Sequence, residues 1–313
     1  MSNNVFNCTI CKSNKMGIIF IGSQNIGYES IRQLLEIKID IDAVFTFMPD
    51  EHETWEKSVD SISKENNIPV FFPEDLTLEK ITELNPDLIL VVGYRKLFPQ
   101  AILDVPKFGI VGLHASLLPH LRGQAPLNWA IINGDSEAGI TMFFMDRGID
   151  SGDIIGQKKT RIQDKDTIID IKKRIENFAV ELIAENILEC INGTGKRIKQ
   201  PIEGTYGCQR ILEDGKIDWS KSSRQIFNLI RACEASYPAF TIYNSKKLFI
   251  IKAELIDEKI YYGTIGQVAM TLKDGSSIIV TGDGVLKVTK VRYENESPVD
   301  AKIYLNSSKL RLT

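Results

Sequence analysis

From Met16 onward, short apolar runs alternate regularly with amphipathic stretches, and this alternation restricts the chain to folds in which helices cover a largely parallel sheet. Residues 17–22 (Gly-Ile-Ile-Phe-Ile-Gly) read as the first buried strand. The pattern then predicts a helix over 28–36, a strand at 43–47, a helix over 58–66 and a strand at 69–72. A short helix at 78–84 ends at Asn85-Pro86, and buried runs follow at 87–92, 109–113 and 141–145. Ile168, Ile171, Ile175, Phe178 and Leu182 recur at spacings of three and four, with Asp, Lys and Glu opposite, so they form the core face of a long helix rather than a cofactor box.

Around residues 192–207 the composition turns to Gly, Lys, Pro and polar residues, which reads as a linker. Beyond it the pattern predicts one helix (222–233) and five short strands (240–243, 248–253, 266–272, 277–281 and 285–291) with Gly and Asp-Gly turns. The expected organisation is a leader (1–15), a Rossmann-like α/β domain (16–205) and a small β-barrel of the OB type (206–313).

With 43% hydrophobic and 25% charged residues, no apolar run long enough to span a bilayer and no signal peptide, the chain reads as cytoplasmic and without a membrane partner. Five scattered cysteines do not resemble a disulfide framework. Cys8 and Cys11 form a CxxC, but no second pair with ligand spacing follows, so no metal site is expected. The net charge is −3 and basic residues are interspersed with acidic ones, which argues against a nucleic-acid partner. Residues 22–27 (Gly-Ser-Gln-Asn-Ile-Gly) lack the middle glycine of a dinucleotide fingerprint and read as a tight turn near a substrate pocket.

Chemistry concentrates in two segments. His114 directly follows a buried-strand pattern and precedes a Pro/Gly-rich loop, the strand end at which ligands bind in parallel sheets. Residues 145–153 (Met-Asp-Arg-Gly-Ile-Asp-Ser-Gly-Asp) follow another strand with three carboxylates, one of which could approach His114 and fix its tautomer. Taken alone, these features fit a structural histidine and a polar turn as well as they fit catalysis.

The string His114-Ala-Ser-Leu-Leu-Pro-His-Leu-Arg-Gly, then Ala-Pro-Leu-Asn-Trp, then 145–153, resembles the folate-dependent formyltransferase family, as do Gly215-Lys-Ile-Asp-Trp219 and Ile230-Arg-Ala. The resemblance implies transfer of a formyl group from 10-formyltetrahydrofolate to an amine. It also implies that His114 stabilises the tetrahedral oxyanion and assists proton transfer, while Asp150 holds and polarises it. Val91, Val92, Gly93, Tyr94 and Leu97, with Gly148 and Ile149, would enclose the folate; Ser116, Arg122, Gln124 and Asn128 would meet the acceptor, with Arg122 orienting an anionic group. The family's Asn-x-His asparagine falls on Gly112, which removes a donor worth about 2.7–4 kcal/mol in other enzymes. Three outcomes are open: a water or another donor replaces it, Asn128 or Gln124 reaches in, or activity is weak. A hydrolase or non-catalytic binding relative is the alternative on the same ground.

For the acceptor, residues 49–56 (Pro-Asp-Glu-His-Glu-Thr-Trp-Glu) carry four carboxylates where transfer-RNA enzymes of the family resemble each other in a basic insertion. The runs ending at Trp129 and spanning 237–240 look more like the amino-sugar members. A nucleotide-linked amino sugar is therefore the expected acceptor, with initiator methionyl-tRNA the runner-up and homodimer formation left open. No flavin or nicotinamide is implied.

Overall fold

The computed structural model describes residues 16–47, 57–94, 96–233, 237–256 and 261–313. The leader with Cys8 and Cys11 and the acidic run 49–56 lie outside them.

The first unit runs β1 (Ile18–Gly22), α1 (Gln24–Glu36), β2 (Ala43–Phe45), α2 (Val59–Glu65), β3 (Val70–Phe71), α3 (Leu78–Leu84), β4 (Leu88–Val92), α4 (Gln100–Leu103), β5 (Ile110–His114), β6 (Arg122–Gly123), α5 (Pro126–Asn133), β7 (Glu137–Phe144), β8 (Ile154–Arg161) and α6 (Ile168–Ile191). Its sheet has the order β3-β2-β1-β4-β5-β7-β8, parallel through β5, with β7 and β8 joined antiparallel. Strands β1 and β4 are buried on both faces, as continuous Ile/Leu/Val runs require. Their alternating side chains feed two cores: Ile18, Phe20, Leu88 and Leu90 pack with α1 and α6, whereas Ile19, Ile21, Ile89 and Val91 pack on the opposite face. Gly22 is required where the two strands touch, because a Cβ there would lie 2.3 Å from the Val92 carbonyl oxygen.

Helix α6 begins in a reciprocal cap, Asp170 N–H donating to Thr167 Oγ1 and Thr167 N–H to Asp170. Its predicted apolar face is the core face, with Ile168, Ile171, Ile175 and Leu182 buried and Phe178 packed beside them. Just before it, Asp166 (2% exposed) accepts from Arg174 Nη1 at 2.8 Å, Arg174 Nη2 at 2.5 Å and Gln163 N–H at 2.7 Å. Burial alone would raise this carboxyl's pKa, but Arg174 and the Gln163 amide outweigh it and hold it below the ordinary value. A depressed native pKa stabilises the fold above the unfolded-state value of about 4, and that contribution is lost as pH falls through the lower native value. Urea midpoints measured from neutral pH to below about pH 4 are therefore expected to fall more steeply for the wild type than for Asp166→Asn.

After β9 (Tyr206–Gly207) and α7 (Ser223–Ala232), the second unit comprises β10 (Phe240–Tyr243), β11 (Lys246–Leu255), β12 (Val268–Thr271), β13 (Ser277–Val280), β14 (Val285–Arg292) and β15 (Val299–Asp300). These form an antiparallel sheet ordered β10-β11-β14-β13-β12, with β15 added to β14. The segment 310–313 bonds both edges. Val268 N–H donates to Leu310 O and Leu312 N–H to Gly266 O, while Ile242 N–H donates to Thr313 O, so the sheet curls into a small barrel. Ile217, Trp219, Ile226 and Ile230 fill it from the α7 side.

Several elements were not expected, among them β8 and α5. β8 has only two apolar residues before its polar alternation, and α5 is a short helix opened by Pro126. The presumed linker also folds back, since β9 pairs in parallel with β6 and places Tyr206 and Gly207 against the first unit.

Candidate active site

The order of the sheet reverses direction between β1 and β4, and the crevice beyond the carboxyl ends of the strands at such a point is where parallel sheets bind ligands. A cavity of about 580 Å³ opens there. Gln24 and Ile26 after β1, Gly93 and Tyr94 after β4, and His114 and Ala115 at the end of β5 all line it. Residues 24–27, expected as part of a tight turn, form the first turn of α1, and Gln24 and Ile26 there border the cavity. Gly93 takes a left-handed φ of +75°, which lets the chain leave β4 sharply over Ser23.

His114 and Asp150 face each other across this cavity. His114 Nδ1 stands 3.5 Å from Asp150 Oδ2, with the two side chains 11% and 19% exposed. His114 Nε2 lies 2.8 Å from the Leu121 carbonyl oxygen. A carbonyl only accepts, so Nε2 carries a proton and Nδ1 is the ring nitrogen turned toward Asp150. Asp150 Oδ2 also accepts the Gly123 N–H at 2.7 Å, which fixes the carboxylate's direction. The arrangement is a histidine–carboxylate pair able to take a proton from a nucleophile and return it to a leaving group.

Of the residues expected to enclose folate, Val91, Gly93, Tyr94, Leu97 and Ile149 line the cavity. Tyr94 stacks on Phe98 with ring centroids 4.9 Å apart, and burial pushes its phenol pKa up. Val92 does not line it: strand alternation turns its side chain to the opposite face, into the core with Ile31 and Leu90. Gly148 is outside as well, its N–H held by Asp146 Oδ1 at 3.0 Å.

Among the expected acceptor residues, only Gln124 lines the cavity. Arg122 is 2% exposed and spends all five guanidinium hydrogens on Gln200 Oε1, the Pro201 and Ile202 carbonyls and Tyr206 Oη; the anion-orienting role is corrected to a structural one. Asn128 Nδ2 donates to the Ala232 carbonyl at 2.7 Å and ties α5 to α7, and Asn128 does not line the cavity. Ser116 is buried and closes its own turn on the His120 carbonyl at 2.6 Å.

Gly112 precedes His114 on the same face of β5. A Cβ there would meet Phe143 Cε1 at 3.1 Å and Met145 Cγ and Sδ at 3.2 Å, so those side chains border the space an asparagine would use. Sequence reasoning missed Lys172 and Glu176, which stand one turn apart on α6 and line the cavity, and also Tyr206. Their positions on a polar helix face and in a linker-like stretch carry no local signal of a site. Among the described residues, no group of three or more His, Cys, Asp or Glu could hold a metal ion, and no helix is long and apolar enough to cross a membrane.

The chain joins an α/β unit, with a histidine–carboxylate pair at the sheet's switch point, to a small barrel, and comparison with known proteins names its class. Residues 52–187 match the family described as formyl transferase, and residues 211–309 match the formyl transferase C-terminal domain. The methionyl-tRNA formyltransferase of Fusobacterium nucleatum is 33% identical over 306 residues, covering 95% of this chain and 98% of that protein. The chain belongs to the formyl transferase family. Among solved structures, the sugar 3N-formyl transferase WlaRD, determined with dTDP and 5-N-formyl-THF, superposes with a TM-score of 0.70 at 25% identity, covering 91% of this chain and all of that one. The Helicobacter canadensis N-formyltransferase, in complex with folinic acid and dTDP-3-aminofucose, gives 0.72 at 26% identity, covering 88% and 100%.

Proposed function

We propose that this enzyme transfers the formyl group of 10-formyltetrahydrofolate to the primary amine of a small acceptor, an amino sugar carried on a nucleotide. The observation that carries the chemistry is the His114–Asp150 pair facing a cavity with one apolar wall. The pterin would lie against Val91, Gly93, Tyr94, Leu97 and Ile149. The amine attacks the formyl carbon, the bond from that carbon to folate N10 breaks, and the amine's proton is passed to N10. Asp150 and His114 Nδ1 provide the station for that proton. In place of an amide at Gly112, the formyl oxygen would take its hydrogen bond from water or from Gln124, the expected acceptor residue that lines the cavity.

The acceptor reading rests on the acidic run 49–56 and the net charge of −3, which disfavour a phosphate backbone. It is supported by the structural neighbours, one determined with dTDP and the other in complex with dTDP-3-aminofucose. Methionyl-tRNA is the second reading, favoured by the 33% identity to a transfer-RNA enzyme along almost the whole chain. Purified protein incubated with 10-formyltetrahydrofolate, a panel of nucleotide-linked amino sugars and charged initiator tRNA separates them by mass spectrometry of the acceptors. One formyl group gained by a sugar nucleotide is the expected result. Formylation of tRNA alone would replace the acceptor reading, and formate released without any acceptor product would mark a hydrolase.

A further inference from the structure

The geometry points to Gln200 as a positioning residue for the Asp150 carboxylate, although it lies in a stretch whose composition reads only as linker. This inference rests on the proposed role of the His114–Asp150 pair.

The Gln200 amide is bracketed on both sides. Its Oε1 accepts from Arg122 Nη2 at 2.9 Å and Nε at 3.3 Å. A guanidinium has only donors, so the oxygen must face it and the NH2 must face the other way. There, Nε2 donates to the Asp150 carbonyl at 2.9 Å and the Gly152 carbonyl at 2.7 Å. Each amide hydrogen thus has one acceptor, and both acceptors belong to the loop that carries Asp150.

That loop needs holding. Asp150 has a left-handed φ of +49°, a conformation uncommon for a residue with a side chain. Gly152 packs so tightly that a Cβ would fall 1.8 Å from the Phe144 carbonyl oxygen, so the loop cannot relax toward the sheet. Gln200 grips the backbone on either side of Ser151, while the Gly123 N–H grips the Asp150 carboxylate. Gly123 directly follows Arg122 on β6, so the two grips share one anchor: Arg122 holds Gln200, Gln200 holds the Asp150 backbone, and Gly123 holds its side chain. The closed circuit aims Oδ2 at His114 Nδ1. Gln200 does not line the cavity and bonds to the backbone of the Asp150 loop; it acts through Asp150.

Gln200→Glu separates positioning from folding. A glutamate keeps an acceptor for the Arg122 guanidinium, so that contact survives, but it sets oxygen in place of NH2 against two carbonyls. The expected result is a kcat lower by about 10- to 100-fold, with KM for the formyl donor within about twofold, because a small misplacement of a reacting group costs rate more than binding. In an Asp150→Asn background the same change is expected to add less than about threefold, since both changes act on one group. The His114 ring nitrogen signals, assigned by comparison with His114→Ala, are expected to shift in Gln200→Glu. A kcat unchanged per folded molecule, a fully additive effect in the Asp150→Asn background, or unmoved His114 signals would overturn the proposal. If the wild type transfers no formyl group, the functional reading fails, while the His114 signals still decide whether Gln200 positions Asp150.

Discussion

His114→Ala is expected to lower the rate of formyl transfer by about 10²- to 10⁴-fold, and Asp150→Asn by a similar factor, with binding of the folate donor little changed. The size follows from what the pair does. A positioned acid–base group typically contributes that range, which is about 3–5 kcal/mol of barrier. Removal of the imidazole leaves the amine's proton without its station, and Asp150→Asn removes the charge facing Nδ1 at 3.5 Å. Donor affinity should survive, because the apolar wall made by Val91, Tyr94, Leu97 and Ile149 is untouched by either change. The double variant should be scarcely slower than the worse single one, since the two side chains act as one unit. Steady-state rates with calorimetric donor binding check this, and near-native turnover in either single variant would remove the pair from the mechanism.

The second large effect is on stability. Arg122→Met is expected to destabilise the protein by about 3 kcal/mol or more, because truncation of a buried charged hydrogen-bonding group strands its partners. Methionine fills a similar volume but offers no donor to Gln200 Oε1, the Pro201 and Ile202 carbonyls or Tyr206 Oη. Arg122→Lys should recover little, since an ammonium cannot reproduce a planar fork with five donors. A urea titration gives the comparison. If Arg122 instead oriented an anionic acceptor, the variant would unfold at the wild-type midpoint and show only a raised KM for that acceptor.

Much of the fold was legible because strong periodicity has few structural solutions. The buried runs at β1 and β4, the seven-residue α3 and the three-four spacing of α6 are all where the pattern places them. β8 was not legible, as an edge strand with one face in water carries little apolar signal. Nor was α5, whose eight residues include Pro126 and Asn133 at its ends.

The site was legible only where chemistry and strand position coincide. His114 stands out because it ends a buried strand, whereas Asp150 is one of three carboxylates in its loop and is singled out only by the family resemblance. The misassignments arise from contacts distant in sequence. Nothing near Arg122 reveals that residues 200–206 will wrap its guanidinium, or near Asn128 that the end of α7 will take its amide. Val92 fails for a simpler reason: in a strand with two buried faces, neighbouring valines point in opposite directions, and only Val91 turns toward the cavity.

The central claim, that this cavity passes a formyl group from folate to an amine, is tested most directly by single turnover with 10-formyltetrahydrofolate labelled in its formyl carbon and an amino-sugar nucleotide as acceptor. The account predicts that the label appears in a new amide on the acceptor at the rate at which tetrahydrofolate is released, and that His114→Ala slows both together. Label recovered only as free formate, or retained on the donor, would contradict it.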